Sequence, residues 1–403
     1  MLSALSYHQK VKDHFRAQSK TWDYFAGASN KEEQLLQFKT ELLRNTYKFD
    51  PSSEPFIYDK INIIKDKLGL QQLPVTVYQA AHTDELNASI VYLNNEAHIV
   101  FSGSIIKLLD DEELLAVLAH ELTHIKLFTL QDGHLEVADR IITAIANHHQ
   151  SEPAYYETAR LYRLYTEIFC DRGACMVLGK TGPVISSLVK TSTGLDKVNP
   201  ENYLKQAEEI FSADNNTKTA GISHPENFIR ARAVQYWHEK GDAAEAVINS
   251  MIEGMSELDQ LDIFRQKELS LLTRKVLQLF LKPNWFRTTM VSSLARQYFP
   301  DFSWDDAALI DDALVERISN DHSSIKEYLA YLLLDFALAD PSLEEIPPGR
   351  ALQFAEEIRI VDQFNTILKK ELKLSDKKLQ QYREKALMAY SRVKENEGEQ
   401  IYN

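Results

Sequence analysis

From Leu2 to about Lys48 the apolar residues recur at three- and four-residue spacing in a fairly polar background, which predicts helix, and Asp50-Pro51-Ser52-Ser53-Glu54-Pro55 breaks it. The same period returns over residues 56–69 (FIYDKINIIKDKLG) and ends at Gly69. It then gives way to three short β-branched runs, PVTVYQA, ASIVYL and HIVFSG, which read as strands. Asn94-Asn95 between the last two predicts a hairpin turn, because asparagine tolerates left-handed backbone. Two helices follow, the second opening at Asp110-Asp111-Glu112-Glu113, where aspartate caps free amides and the acids oppose the positive end of the helix dipole. From about Ser151 onward nearly everything is helix-patterned, punctuated at 179–183, 194–201, 214–225 and 340–349. Residues 240–403 carry enough Leu, Ile and Phe at helical spacing for a core of their own.

The pattern therefore predicts an α+β, predominantly helical chain. Its parts are an N-terminal helical segment (1–54), a domain with a small β-sheet (55–239) and an α-helical C-terminal domain (240–403). With 403 residues and 44% hydrophobic content it can bury a sizeable core, and a net charge of −14 without a dense Lys/Arg block excludes nucleic acid or an anionic membrane surface as the main partner. The opening MLSALSYHQKVKDHFRAQ lacks a basic stretch followed by an apolar one, so no secretory signal is read and the expected location is cytoplasmic. The longest apolar stretch outside the motif discussed next, Tyr328 to Ala339, is well short of a membrane span and contains Asp335. Cys170 and Cys175, five residues apart on one helix, point to different faces. They are expected to pack as small apolar residues in a reducing compartment.

Within LAVLAHELTHIKL stands His120-Glu121-Leu122-Thr123-His124. Residues four apart share a helix face, so His120 and His124 can offer two imidazoles to one zinc ion while Glu121 projects toward a bound water. A third protein ligand is needed. Six residues after His124 stands Leu130, and about twenty after it Ala144, neither of which can ligate. Further on, LYRLYTEIFCDRGACM (161–176) reads as a strongly amphipathic helix with Glu167 and Asp171 on its apolar side. Glu167 can complete the coordination and Asp171 can fix a ligand histidine's tautomer, whereas the plain alternative is an exposed acid pair beside Arg172. Glu152 and Glu157 also lie in this interval, without an acid four residues later.

Four pieces in order then resemble the zinc peptidases of the HtpX and CAAX prenyl protease type, which are gluzincins. They are Asn87-Ala88 before a strand, DDEELLAVLAHELTHIKL, Glu167-x-x-x-Asp171, and Ser223-His224-Pro225 with Arg230 six residues after the histidine. The resemblance covers about residues 55–237 and implies a zincin-like metallopeptidase fold with one zinc per chain, held between two helices by His120, His124 and Glu167. It further implies Asn87 and Ala88 at the substrate, and His224 and Arg230 near the reacting centre. Unlike the best-known relatives this sequence shows no transmembrane helix, so soluble or misfolded polypeptides are better expected substrates than prenylated ones.

The expected activity is that of a zinc metalloendopeptidase in which Glu121 assists attack of zinc-bound water, His224 donates to the oxyanion, and the strand 88–93 receives substrate by β-pairing. Residues 131–160 would shape or cover the cleft. The competing reading is a non-catalytic or latent zinc scaffold that binds a protein partner through the C-terminal helical domain. A complete H-E-x-x-H argues against it, because a structural site has no use for Glu121 and three protein ligands leave one position open. His148-His149 read as a solvated helix end, and Tyr155, Tyr156, Tyr162 and Tyr165 as core or cleft wall.

Overall fold

The β-branched runs form strands β2 (Val75–Ala80), β3 (Asn87–Leu93) and β4 (Glu96–Ser102), in a computed structural model that describes residues 2–27, 32–81, 83–214 and 217–394. Asn94 and Asn95 both take positive φ, 47° and 62°, so the β3–β4 hairpin turns tightly and pairs from Asn87 opposite Ser102 to Leu93 opposite Glu96. β2 runs parallel to β4. The helix expected to continue to Lys48 stops at Asn45, and Thr46–Lys48 become a strand, β1, antiparallel to β2. Threonine and tyrosine favour extended backbone once a neighbouring strand offers hydrogen bonds. The order β1-β2-β4-β3 leaves β3 at an edge.

The described chain divides into two compact units, Met1–Gly254 and Met255–Asn403. In the first, α1 (Ser6–Arg16), α2 (Ser19–Gly27) and α3 (Glu32–Asn45) precede the sheet, and α4 (Pro55–Leu68) and α5 (Ile105–Leu108) flank it in sequence. The helix α6 (Asp111–Thr129) starts at a full capping box: Asp110 accepts from the amides of Glu112 and Glu113, while the Glu113 carboxylate accepts from the Asp110 amide. After it come α7 (His134–Ala146), α8 (Pro153–Leu178), α9 (Gly182–Thr193), α10 (Pro200–Ala213), α11 (Asn227–Lys240) and α12 (Glu245–Glu253).

The stretch 161–176 is not amphipathic in its surroundings. From Leu161 to Leu178 only Arg163 is fully exposed, because α1, α6, α7, α11 and α12 pack around α8. That accounts for the small and apolar residues on all its sides, among which Glu167, Asp171 and Arg172 are buried too. Nor do residues 131–160 cover a cleft: α7 packs against α1, α2 and α8. At the crossing of α6 and α8 the Thr123 side chain fills the place beside Gly173, where a Cβ would lie 2.3 Å from Thr123 Oγ1 and 2.4 Å from its Cγ2.

The second unit comprises α13 (Ile263–Phe280), α14 (Thr289–Tyr298), α15 (Asp312–Asn320), α16 (Ser323–Ala337), α17 (Ile346–Glu357), α18 (Val361–Glu371) and α19 (Asp376–Lys394). Its core centres on Phe280, Phe286, Phe336, Phe354 and Phe364, with α17 and α19 in close contact at Gly349. Among the described residues no helix is long and apolar enough to cross a membrane.

Candidate metal centre and cleft

On α6 the rings of His120 and His124 stand one turn apart, centroids 5.1 Å from each other. The Glu167 carboxylate of α8 faces both: its Oε2 is 3.4 Å from His120 Nε2 and its Oε1 3.7 Å from His124 Nε2. On the far side of the His120 ring, Nδ1 is 2.9 Å from Asp171 Oδ1, the arrangement in which Nδ1–H donates and Nε2 is left as the free lone pair. Arg230, from α11, donates to Asp171 through Nε to Oδ2 and Nη2 to Oδ1, both at 2.7 Å. The alternative of an exposed acid pair does not hold, since Glu167 is 6% and Asp171 1% exposed.

The two carboxylates of this cluster favour positive charge on the groups beside them. Burial opposes charge on His120, but the Asp171 and Glu167 carboxylates outweigh it and raise its pKa to about 10. His124, where burial dominates, falls to about 4. Burial also works against ionised Glu167 and Asp171, yet His120 and Arg230 hold both carboxyls below the ordinary carboxylate range. Glu167 Oε2 nonetheless lies buried without a hydrogen-bond partner, although His120 Nε2 and Arg230 Nη2 are each 3.4 Å away. A buried carboxylate oxygen left so, opposite two imidazole nitrogens, fits a divalent metal ion.

Cys170 was read as a packing residue. It is buried, but its sulfur and ring nitrogens of His120 and His124 all lie within 4.8 Å of one another. Its position three residues after Glu167, on the same helix face, is the signal that sequence offers. Burial pushes its thiol well above the usual range, so the ionised carboxylate is the better donor of the two.

A cleft of about 330 Å³ opens beside this cluster. Its lining includes Asn87, Ala88, His120, Glu121, Glu167, Asp171, His224 and Arg230, so the structure brings to one place the residues singled out in sequence, with His124 just behind. No residue of 131–160 is among the lining. Glu121 is buried, and burial raises its pKa to about 7. His224 sits on a loop, 59% exposed, with Nε2 3.6 Å from Glu167 Oε2. The loop is held tightly: Glu226 accepts from the Thr219 hydroxyl and the Ala220 amide, and Arg160 donates to the Gly221 carbonyl at 2.7 Å. A Cβ at Gly221 would stand 1.9 Å from the His224 carbonyl oxygen. Lys190 of α9 pairs with Glu113 of α6 at 2.8 Å, both buried.

Two helices present paired imidazoles and a carboxylate beside a buried glutamate, and residues 51–238, which contain them, match the model of peptidase family M48. Over 159 residues the chain is 31% identical to the plastoglobule-localized metallopeptidase 48, chloroplastic, of Arabidopsis thaliana. The match takes in 34% of this chain and 44% of that protein, so the chain spans less than half the length of this curated relative. No solved structure matches.

Proposed function

We propose that the chain is a zinc metalloendopeptidase in which His120, His124 and Glu167 hold one zinc ion. The observation that carries this reading is the buried Glu167 carboxylate, whose Oε2 makes no hydrogen bond, facing the imidazoles of one helix turn. Zinc bound there supplies Lewis-acid polarisation of the scissile carbonyl and lowers the pKa of water.

The chain's own groups do the rest. Glu121, with a pKa near neutrality, takes a proton from the attacking water and delivers it to the leaving amine. Asp171 accepts from His120 Nδ1–H and so keeps Nε2 free to ligate, while Arg230 holds Asp171 ionised and in place. His224 reaches the cleft from outside and donates to the oxygen that gains charge during attack. The substrate backbone adds to the open edge of β3 at Asn87 and Ala88.

Glu121→Gln tests this reading. It should leave metal content and thermal stability near wild type and abolish chelator-sensitive cleavage of unfolded casein and of a mixed peptide pool. A scaffold that merely holds metal predicts no difference between the two proteins, and equal cleavage by both would remove Glu121 as the base.

A further inference from the structure

Of the acidic and guanidinium groups that line the cleft, Glu121, Glu167, Asp171 and Arg230 belong to the metal end, where Arg230 is engaged with both Glu167 and Asp171. Glu85 does not. It lines the cleft two residues before β3, is exposed, and its carboxylate has no ion pair or hydrogen bond among the described residues. Its place is fixed by the backbone. Asn87 pairs with Ser102 at the end of β4, and the next residue there, Gly103, takes a φ of 62° with the chain at 84–85 closed over it. A Cβ on Gly103 would stand 2.7 Å from the Glu85 carbonyl oxygen and 3.2 Å from that of Asp84. The Gly103 carbonyl accepts from Gln79 Nε2 at 2.9 Å, and the Glu85 amide donates to Thr83 Oγ1 at 3.2 Å.

A second source of negative potential meets the same rim. Helix α9 ends at Gly194 in left-handed backbone, Thr191 and Ser192 of its last turn line the cleft, and a Cβ on Gly194 would be 4.0 Å from Leu86 Cδ1. The carbonyl end of a helix carries a partial charge of about −0.5. Lys190, the basic residue of that turn, does not offset it at the rim, because it is buried in its pair with Glu113. Leu86, next to Glu85 and half-buried, offers apolar surface for the methylene stem of a long cationic side chain whose head stays in water.

We propose that Glu85 is a specificity-determining residue, selecting polypeptides that carry Lys or Arg a short, fixed distance along the chain from the scissile bond. The proposal rests on the peptidase reading above, in which substrate pairs with β3 at Asn87 and Ala88. An extended peptide advances about 3.3 Å per residue, so one that continues past the start of β3 comes level with Glu85 about two residues beyond the one opposite Asn87. The attraction is that of an exposed ion pair. It sets a preference and not a requirement, and salt screens it.

The full chain, loaded with zinc, is given a mixed peptide pool at low salt and the cleavage sites are read by mass spectrometry. Lys and Arg should be enriched at one position at a fixed distance from the cut. Peptides matched except at that position should rank Lys over Gln over Glu in kcat/KM, about 2- to 5-fold per step. The steps should close as ionic strength approaches about 1 M, where the screening length is about 3 Å. Glu85→Gln should level most of the ranking and Glu85→Lys should invert it, with zinc content and thermal unfolding at wild-type values because the side chain is exposed. Equilibrium binding of the same peptides to Glu121→Gln should give the wild-type order without turnover. A profile without Lys and Arg enrichment, or one that neither Glu85 variant moves, overturns the role of Glu85 and leaves the peptidase standing. The order in binding without any cleavage by wild type keeps the role of Glu85 and removes the peptidase. No peptide bound and none cleaved overturns both.

Discussion

Replacing Gly173 by alanine should destabilise the chain and loosen its metal site, although helix propensity alone points the other way. An alanine in a helix interior gains about 0.5–1 kcal/mol over glycine. Against this, the added methyl carbon would stand 2.3 Å from Thr123 Oγ1, 2.4 Å from Cγ2 and 2.9 Å from Cβ, where ordinary contact begins near 3.5 Å. Thr123 cannot swing away cheaply. It is β-branched, fully buried, and its hydroxyl donates to the Ala119 carbonyl at 2.6 Å. The strain is relieved by moving α6 from α8 by roughly 1 Å, and overpacking of this kind costs about 1–3 kcal/mol. Thr123 directly precedes His124, so the same movement widens the 3.4 and 3.7 Å spacings between Glu167 and the two imidazoles. Metal–ligand bonds tolerate about 0.2 Å, so affinity should fall by roughly 10- to 100-fold. Denaturant unfolding of the metal-free protein and competitive zinc titration read the two effects separately. Thr123→Ala removes two of the three clashing atoms, so the double variant should recover most of both losses. If Gly173→Ala is neutral or stabilising, or if the double variant shows no coupling, the helices are not in contact as described.

Glu167→Gln should weaken zinc binding far more than Cys170→Ser, read by the same titration; the reverse order would make the thiol the third ligand. Gly221→Ala should lower kcat while leaving zinc content unchanged, because it collides with the carbonyl of His224 and not with the metal cluster; unchanged kcat would remove His224 from the reaction. His8 is fully buried between Tyr162 and Phe169, and burial lowers its pKa to about 3. Between pH 6.5 and 3 the unfolded chain therefore binds a proton that the folded one refuses, and the contribution of His8, complete above pH 6.5, is lost as pH falls. The loss should be about 2 kcal/mol from pH 7 to 5. Comparing unfolding of wild type and His8→Leu across that range checks it, and parallel curves would refute it.

The sequence made legible whatever depends on near neighbours. The capping box at Asp110, the Asn94-Asn95 turn and the one-turn spacing of His120 and His124 are all decided within four residues. Glu167 and Asp171 could be singled out because acids on an apolar helix face need partners. What stayed hidden depends on neighbours remote in sequence. β1 is extended only because β2 lies beside it, and α8 is surrounded by helices that its own period cannot announce. Gly173 reads as a weak point within a helix until Thr123 is placed against it. Arg160 and Glu226 look like ordinary surface charges until the turn at Gly221 closes between them.

In the proposed peptidase, the edge position of β3 would also limit what can be cut. A peptide taken by strand addition must arrive with an unpaired, extended backbone, and in a folded protein nearly every strand has already given its hydrogen bonds to a neighbour. If substrate adds at Asn87 and Ala88 as proposed, an edge that offers main-chain pairing would therefore discriminate between folded and unfolded polypeptide without reading any sequence. Exposed, polar Asn87 and Ser89 at the start of the strand keep that edge from being an apolar template for another copy of itself.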